Sequence, residues 1–213
     1  MNALETIVVE PVGAHRKTVI WLHGIGQDAS IFEPVIERFG LPERGIRSVL
    51  AQAPKRHVQM DGQEMTVWFD QTVWGLEEAD PETLDLAIGL VNDTIDREIR
   101  TIGAEQVVLA GFSQGAALAL LIGMRRPERI GGLALFAPYV VRQGNLRATR
   151  STQSAGTPIW IGHATEDRVV PLRFSEWIYE LLKVGRYPVE FRRYPGDHEA
   201  FFGVEYEDLK SVM

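Results

Sequence analysis

Short apolar segments alternate with longer amphipathic segments along this chain of 213 residues. The clearest apolar segments predict strands, and they cover residues 4–10, 18–24, 46–54, 105–111, 130–138, 157–163 and 187–195. Helical spacing lies between them at residues 31–39, 81–100, 114–126 and 171–184. This alternation is typical of crossover units, so we predict an α/β fold of about eight strands, with a mostly parallel central sheet and helices on both faces.

Two connections depart from this pattern. The link between the first two strands lacks helical length, which favours an antiparallel start of the sheet. Residues 55–81 are the least regular part of the chain and predict a long loop that contains Trp68, Phe69 and Trp74. Because long ordered loops in compact domains are often functional, we treat these aromatic residues as candidates for substrate contact.

The composition is that of one folded globular domain, residues 1–213, without a separate cap domain: 45% of the residues are hydrophobic and 24% are charged. A formal charge of −7 argues against a nucleic-acid partner. The absence of cysteine excludes disulfides, thiolate metal sites and a cysteine nucleophile. The first residues lack a basic segment followed by an apolar run, and no segment reaches transmembrane length, so we expect a cytoplasmic protein.

The most hydrophobic run, VVLAGFSQGAALALLIG, is interrupted at residues 111–115 by a serine between two glycines. Three roles compete for Ser113: the N-cap of a helix, part of a turn that only packs, or a nucleophile. A predicted strand precedes the segment and a predicted helix follows it, which is the setting of the G-x-S-x-G nucleophile elbow. The N-cap role is compatible with either answer but does not explain both glycines.

A serine nucleophile requires a base and an orienting carboxylate, which follow it in the order Ser, Asp, His in this type of fold. Only His163 and His198 follow Ser113. His198 lies just past the last predicted strand, and we assign it as the base; His163 ends a strand, and we expect it to support local structure. Asp167 lies between nucleophile and base and is the candidate acid, with Glu166 as the neighbour that could substitute.

An oxyanion hole needs two backbone N–H donors. The residue after the nucleophile, Gln114, supplies one, and we assign the other to Ile25 in the loop WLHGIGQDAS, where Gly24 and Gly26 allow close approach of the backbone. The alternative for this loop is a dinucleotide site, but the spacing G-x-G-x-x-G is missing.

These segments together resemble the acyl-protein thioesterase and carboxylesterase family, also called the phospholipase/carboxylesterase group of α/β-hydrolases. The resemblance covers nearly the whole chain and rests on VIWLHGIG, APKRHVQMDGQEMTVWFD, LAGFSQGAALAL, GHATEDRVVP and YPGDHEAF. The family usually has Gly where this chain has Ala164, and Gly where it has Asp197 before the base. The resemblance implies an α/β-hydrolase fold and the same five assignments: Ser113, Asp167 and His198 as the triad, Ile25 and Gln114 as oxyanion donors.

The expected activity is hydrolysis of carboxylic esters or acyl thioesters through an acyl-enzyme, with a small-molecule or lipid-type acyl ester as substrate. This chemistry requires no metal or organic cofactor. Trp68, Phe69 and Trp74 could line an apolar acyl groove or serve as packing anchors. Two other functions stay open, a peptidase or amidase that uses the same triad and a catalytically silent binding protein. A homodimer is also possible.

Overall fold

The computed structural model describes residues 3–58, 62–71, 78–141 and 150–213, without the side chains of residues 201 and 202. Within these ranges the strands are β1 (Thr6–Val9), β2 (Lys17–Leu22), β3 (Ile46–Ala51), β4 (Lys55–Val58), β5 (Gln63–Thr66), β6 (Val107–Phe112), β7 (Gly132–Phe136), β8 (Ile159–Ala164) and β9 (Val189–Tyr194). The α-helices are α1 (Glu33–Arg38), α2 (Pro81–Ile102), α3 (Gln114–Arg125) and α4 (Arg173–Val184). Short 3₁₀ helices include Ala29–Phe32, Ala200–Gly203 and Tyr206–Leu209.

Seven of the described strands form one sheet in the order β1-β3-β2-β6-β7-β8-β9. Every neighbouring pair is parallel except β1 with β3. The predicted antiparallel start is therefore confirmed, although β1 pairs with β3, where Thr6 lies opposite Ala51, and not with the strand that follows it. The parallel order places the carboxyl ends of β2, β6 and β8 at the same edge of the sheet, where ligands bind in folds of this type.

The core lies on both faces of the sheet because side chains alternate along each strand. In β6, Val107 and Leu109 contact the cluster that also contains α2, α3 and α4, whereas Val108 and Ala110 contact the cluster that contains α1 and the C-terminal 3₁₀ helices. The prediction of helices on both faces is thus confirmed. Of the helices in the described ranges, none combines the length and the apolar composition needed to span a membrane.

The prediction of one long loop over residues 55–81 is wrong in its first part. Strands β4 and β5 form an antiparallel hairpin, with Lys55 opposite Thr66 and Val58 opposite Gln63. The two strands have four residues each and are largely polar, so they lack the apolar alternation that identifies a buried strand. At the end of this region α2 begins as expected, because the side chain of Asp80 accepts a hydrogen bond from the N–H of Thr83 at 2.9 Å.

Candidate active site

Ser113 lies in a strained turn between β6 and α3. Its backbone has φ 52° and ψ −116°, a conformation that residues with a side chain rarely adopt. Two backbone hydrogen bonds hold it: its N–H donates to the carbonyl of Phe136 at 2.9 Å, and its own carbonyl accepts from Ala117 at 3.0 Å. The residue occupies the N-cap position of α3, yet its side chain makes no capping hydrogen bond. The strained backbone therefore does not serve to cap the helix. It leaves the hydroxyl available for another role.

The two glycines that flank this serine are required by the close approach of backbone atoms. A Cβ atom on Gly111 would lie 2.4 Å from the carbonyl oxygen of Gly115. A Cβ atom on Gly115 would lie 2.0 Å from the carbonyl oxygen of Leu22, at the end of β2. Both distances are far below van der Waals contact, so neither position accepts a larger residue without movement of the backbone. The two glycines are thus needed because the turn at Ser113 packs closely against the end of β2.

Asp167 lies in the loop after β8, with both carboxylate oxygens engaged. Oδ2 accepts a hydrogen bond from Nδ1 of His198 at 2.6 Å. Oδ1 accepts from the backbone N–H groups of Val169 and Val170, each at 2.8 Å. Because Nδ1 of His198 is used in this contact, Nε2 is the ring nitrogen that remains for a proton from a serine hydroxyl.

The environment of Asp167 favours the charged carboxylate. Burial of the carboxyl group raises its pKa, but the hydrogen bonds from His163, His198 and Val170 outweigh burial and hold the pKa of Asp167 well below its usual range. Asp167 is therefore ionised at neutral pH and can stabilise a positive charge on His198.

His163 braces the loop of the acid, as the sequence suggested. Its Nε2 donates to the carbonyl of Val170 at 2.8 Å and lies 3.2 Å from Oδ2 of Asp167. Its Nδ1 lies 2.6 Å from Oγ of Ser175 in α4. The ring is buried, so it connects the acid to the helix behind it and is not exposed to a substrate.

Two other carboxylates, those of Glu166 and Asp197, lie near Asp167 and His198 in the sequence but make different contacts. Glu166 is exposed, and its backbone N–H donates to the carbonyl of Gly196 at 2.9 Å, which links the loop after β8 to the loop after β9. Asp197 accepts from the N–H of Glu199 at 3.1 Å and so stabilises the turn that carries His198. Of the two candidate acids named from the sequence, it is Asp167 that contacts His198.

His198 lies beside the nucleophile turn. Its ring packs against Phe112, the residue before Ser113, with ring centroids 4.7 Å apart. The structure records no hydrogen bond between the hydroxyl of Ser113 and the imidazole of His198 among the residues it describes. Contacts of this kind are often long without substrate and tighten when substrate binds.

Ile25 and Gln114 line the same cleft as Ser113. Gln114 is the first residue of α3, so its backbone N–H has no acceptor within the helix and is free to bind an oxyanion. The loop of Ile25 is fixed on both sides: the N–H of Gly24 donates to Oε1 of Gln27 at 2.9 Å, and the N–H of Gly26 donates to the carbonyl of Thr66 at 2.8 Å. The hairpin β4–β5 thereby supports the loop that carries the predicted second donor.

Buried His23 also supports this loop. The N–H of Ala53 donates to Nε2 of His23 at 3.0 Å, so Nδ1 carries the hydrogen and donates to the carbonyl of Gly24 at 2.7 Å. Burial lowers the pKa of His23, and the hydrogen bond to Gly24 only partly opposes it. The ring is therefore neutral and serves as a hydrogen-bonded spacer between β2 and the loop after β3.

The side chain of Gln114 has a structural role that the sequence did not indicate. Its Oε1 accepts from the N–H of Trp68 and its Nε2 donates to the carbonyl of Phe69, both at 2.9 Å. The indole N–H of Trp68 donates to the carbonyl of His23 at 2.8 Å. Residues 68–69 are thus held between the nucleophile turn and the end of β2.

The aromatic residues proposed for substrate contact occupy other positions. Trp68 and Phe69 are fully buried and pack in the core cluster of α2 and α3. Neither lines the cleft of Ser113, so the structure places both side chains beneath the loop, as packing anchors. Trp74 lies outside the described residues. Two residues that the sequence did not single out, Gln71 and Tyr139, do line the cleft.

Comparisons with known proteins agree with this geometry. The profile of the phospholipase/carboxylesterase family matches residues 4–213. The chain belongs to this family. Acyl-protein thioesterase 1 of Saccharomyces cerevisiae is a relative with 30% identity over 225 residues, covering 100% of this chain and 97% of that protein.

Solved structures of the family have the same fold. The crystal structure of Arabidopsis thaliana SOBER1 superposes with a TM-score of 0.81 at 28% identity, covering 92% of this chain and 95% of that one. That of Zea mays acyl-protein thioesterase 2 gives a TM-score of 0.82 at 26% identity, covering 98% and 95%. The predicted α/β-hydrolase fold and the predicted class, a hydrolase that acts on ester bonds, are therefore confirmed.

Proposed function

We propose that the chain hydrolyses carboxylic esters or acyl thioesters through an acyl-enzyme on Ser113, with His198 as base and Asp167 as the residue that orients it. The observation that carries this proposal is the hydrogen bond of 2.6 Å between Asp167 and His198, next to a strained serine turn. A buried carboxylate bonded to Nδ1 fixes the tautomer in which Nε2 accepts a proton.

In the first step, Nε2 of His198 takes the hydroxyl proton of Ser113 as the oxygen attacks the carbonyl carbon. The backbone N–H groups of Ile25 and Gln114 bind the oxyanion, and removal of one such donor typically costs about 3 kcal/mol of transition-state stabilisation. When the bond to the leaving group breaks, His198 returns the proton to that oxygen or sulfur. Water then attacks the acyl-enzyme by the same sequence and restores the serine.

The two rival functions predict different outcomes. A peptidase with this triad turns over peptide amides faster than p-nitrophenyl esters. A silent binding protein turns over neither, despite the ionised Asp167 and its bond to His198. The relatives named acyl-protein thioesterase and the family profile favour the ester and thioester substrates. The single-domain organisation, the cytoplasmic location and the homodimer stay predictions.

Labelling with a fluorophosphonate probe tests the proposal directly. We expect the wild-type chain to be labelled and to hydrolyse p-nitrophenyl acetate, and Ser113→Ala to lose both properties while it retains its melting temperature. Ser151→Ala is the matched control, because Ser151 bonds to Met124 near the opposite end of α3, and it should be labelled like the wild type. Labelling that persists in Ser113→Ala would show that the nucleophile is another residue.

A further inference from the structure

Ile25, the predicted second oxyanion donor, lies at the centre of a tight turn. The N–H of Gln27 donates to the carbonyl of Gly24 at 3.3 Å, which closes the turn around Ile25 and Gly26. Ile25 lines the cleft of Ser113, and its N–H has no hydrogen-bond partner among the described residues. This N–H can stabilise an oxyanion only if the turn keeps its orientation while charge develops on the substrate.

The direction of this N–H is set by the peptide unit that joins Gly24 to Ile25. The carbonyl of Gly24 accepts a hydrogen bond from Nδ1 of His23 at 2.7 Å. In a trans peptide the N–H points away from the carbonyl of the same unit, so this bond directs the N–H of Ile25 away from the imidazole. The position of His23 therefore determines where the donor points.

Trp68 fixes the position of His23. The indole N–H of Trp68 donates to the backbone carbonyl of His23 at 2.8 Å, and the two rings pack with their centroids 5.4 Å apart. The backbone N–H of Trp68 donates to the side chain of Gln114 at 2.9 Å, and the backbone N–H of Gln114 is the predicted first donor. Trp68 is fully buried, so it connects the two sides of the predicted oxyanion hole without contacting the substrate.

Thr66 binds the other end of the turn. Its carbonyl accepts from the N–H of Gly26 at 2.8 Å, and its hydroxyl donates to the carbonyl of Gln27 at 2.6 Å. Thr66 is the last residue of β5, two positions before Trp68. One short segment therefore binds the turn both before and after Ile25.

We propose that Thr66 and Trp68 are positioning residues that hold the N–H of Ile25 in place for the oxyanion. This inference rests on the proposed esterase function and on Ile25 as the second donor. The bonds to His23 and Gln27 exist before substrate arrives, so the donor needs little reorganisation in the transition state. Loss of either side-chain bond should let the turn relax and weaken the binding of the oxyanion.

The test compares p-nitrophenyl acetate with its thionoester, in which sulfur replaces the carbonyl oxygen. Sulfur is larger than oxygen and accepts hydrogen bonds more weakly, so well-placed donors favour the oxygen ester. The ratio of the two kcat/KM values is divided by the ratio of the hydroxide-catalysed rates, which removes the intrinsic difference in reactivity. This corrected ratio does not depend on the fraction of folded enzyme, because both rates are measured on the same preparation. We expect the wild type to prefer the oxygen ester.

Thr66→Val removes one hydroxyl at nearly constant volume, and Trp68→Phe removes the indole N–H. Each change should lower kcat for p-nitrophenyl acetate by about three- to tenfold, with KM within about twofold of the wild type, because the lost interaction acts on the transition state. The corrected ratio should fall by a similar factor. Thr66→Val lies at a partly exposed position, so it serves even if Trp68→Phe fails to fold.

Two control variants separate positioning from packing. Thr66→Ser retains the hydroxyl and should restore the wild-type ratio. Trp160→Phe removes the same atoms as Trp68→Phe from a site that is equally buried but lies in the core cluster on the face of α1. The indole N–H of Trp160 has no hydrogen-bond partner among the described residues, so the ratio should not change.

The possible outcomes distinguish this inference from the proposed function. A wild type without preference for the oxygen ester, or a ratio that neither Thr66→Val nor Trp68→Phe changes, overturns the inference while the esterase function stands. An equal change in Trp160→Phe and Trp68→Phe overturns the assignment of Trp68, because loss of core packing then accounts for it. If folded wild type hydrolyses neither ester, the proposed function itself fails, and this inference with it.

Discussion

Asp167 and His198 are joined by a hydrogen bond of 2.6 Å although 31 positions separate them in the sequence. The pairing of β8 with β9 explains this proximity, because Ala164 lies opposite Tyr194 at the carboxyl ends of the two parallel strands. The loops that follow then run side by side, and the N–H of Thr165 donates to the carbonyl of Tyr194 at 2.8 Å. The sheet therefore fixes the distance between acid and base.

Asp167→Asn should abolish most of the activity. An amide at this position donates to Nδ1 of His198 and stabilises the wrong tautomer, and the equivalent change in a serine protease triad lowers kcat on the order of 10⁴-fold. Steady-state hydrolysis of p-nitrophenyl acetate measures the loss. Glu166→Gln is the matched control, because this exposed neighbour does not contact His198, and its kcat should remain within about twofold. Equal losses of kcat in the two variants would show that Asp167 is not the acid of the triad.

The stability of the wild type should depend on the ionisation of Asp167 at low pH. The pKa of Asp167 is held well below its ordinary value of 3.8, so the unfolded chain takes up this proton at a higher pH than the folded chain. The contribution to stability is fully present above about pH 4 and is lost as the pH falls through the lower pKa of the folded state. Urea unfolding between pH 3 and 6 should show the wild type losing free energy of unfolding relative to Asp167→Asn below about pH 4. Parallel curves for the two proteins would contradict the shift.

Gly115→Ala should destabilise the fold although alanine favours helices. Its Cβ atom would lie 2.0 Å from the carbonyl of Leu22, and overpacking of this kind costs about 1–3 kcal/mol or more. Gly89→Ala in α2 is the control with the opposite sign: nothing lies within 4 Å of its Cβ atom, so the free energy of unfolding should rise by about 0.5–1 kcal/mol. Denaturant titration of both variants measures the two changes. A neutral result for Gly115→Ala would mean that the turn can move away from β2.

Gln114→Met should cost stability without removing the backbone donor at this position. The change leaves the buried N–H of Trp68 and the carbonyl of Phe69 unpaired, at about 1–3 kcal/mol for each group. Chemical denaturation measures the loss, and the exposed Gln106→Met should change stability by less than about 0.5 kcal/mol. If both variants unfold at the same denaturant concentration, the side chain of Gln114 does not hold residues 68–69.

The prediction for the centre of the site rests on local patterns. The turn at Ser113 depends on glycines two residues away on each side, so its signal is contained in five consecutive residues. Asp167 and His198 follow predicted strands in the order that the fold requires, and the parallel sheet brings the ends of those strands together. The prediction for these positions thus combined a local motif with a simple topological rule.

Features that depend on tertiary contacts were not predictable in the same way. The hairpin β4–β5 is short and polar, and Thr66 in β5 accepts a hydrogen bond from the N–H of Gly26, which lies in a distant loop. Trp68 and Phe69 lie in the core, where Gln114 binds the backbone of both residues and the carbonyl of His23 accepts from the indole of Trp68. The pattern of apolar and polar residues along the chain does not indicate these contacts. Gln71 is also buried and lines the cleft of Ser113, and nothing in the adjacent residues distinguishes it from an exposed glutamine in a loop.

The shared edge of β2, β6 and β8 also has an evolutionary consequence. Each reacting group sits on a separate connection beyond the end of a strand, while most of the packing that keeps the molecule folded lies within the strands and helices. A connection that lies outside the core can therefore change, and with it the substrate preference, without rebuilding the scaffold. The chemistry and the architecture therefore depend on different parts of the same polypeptide.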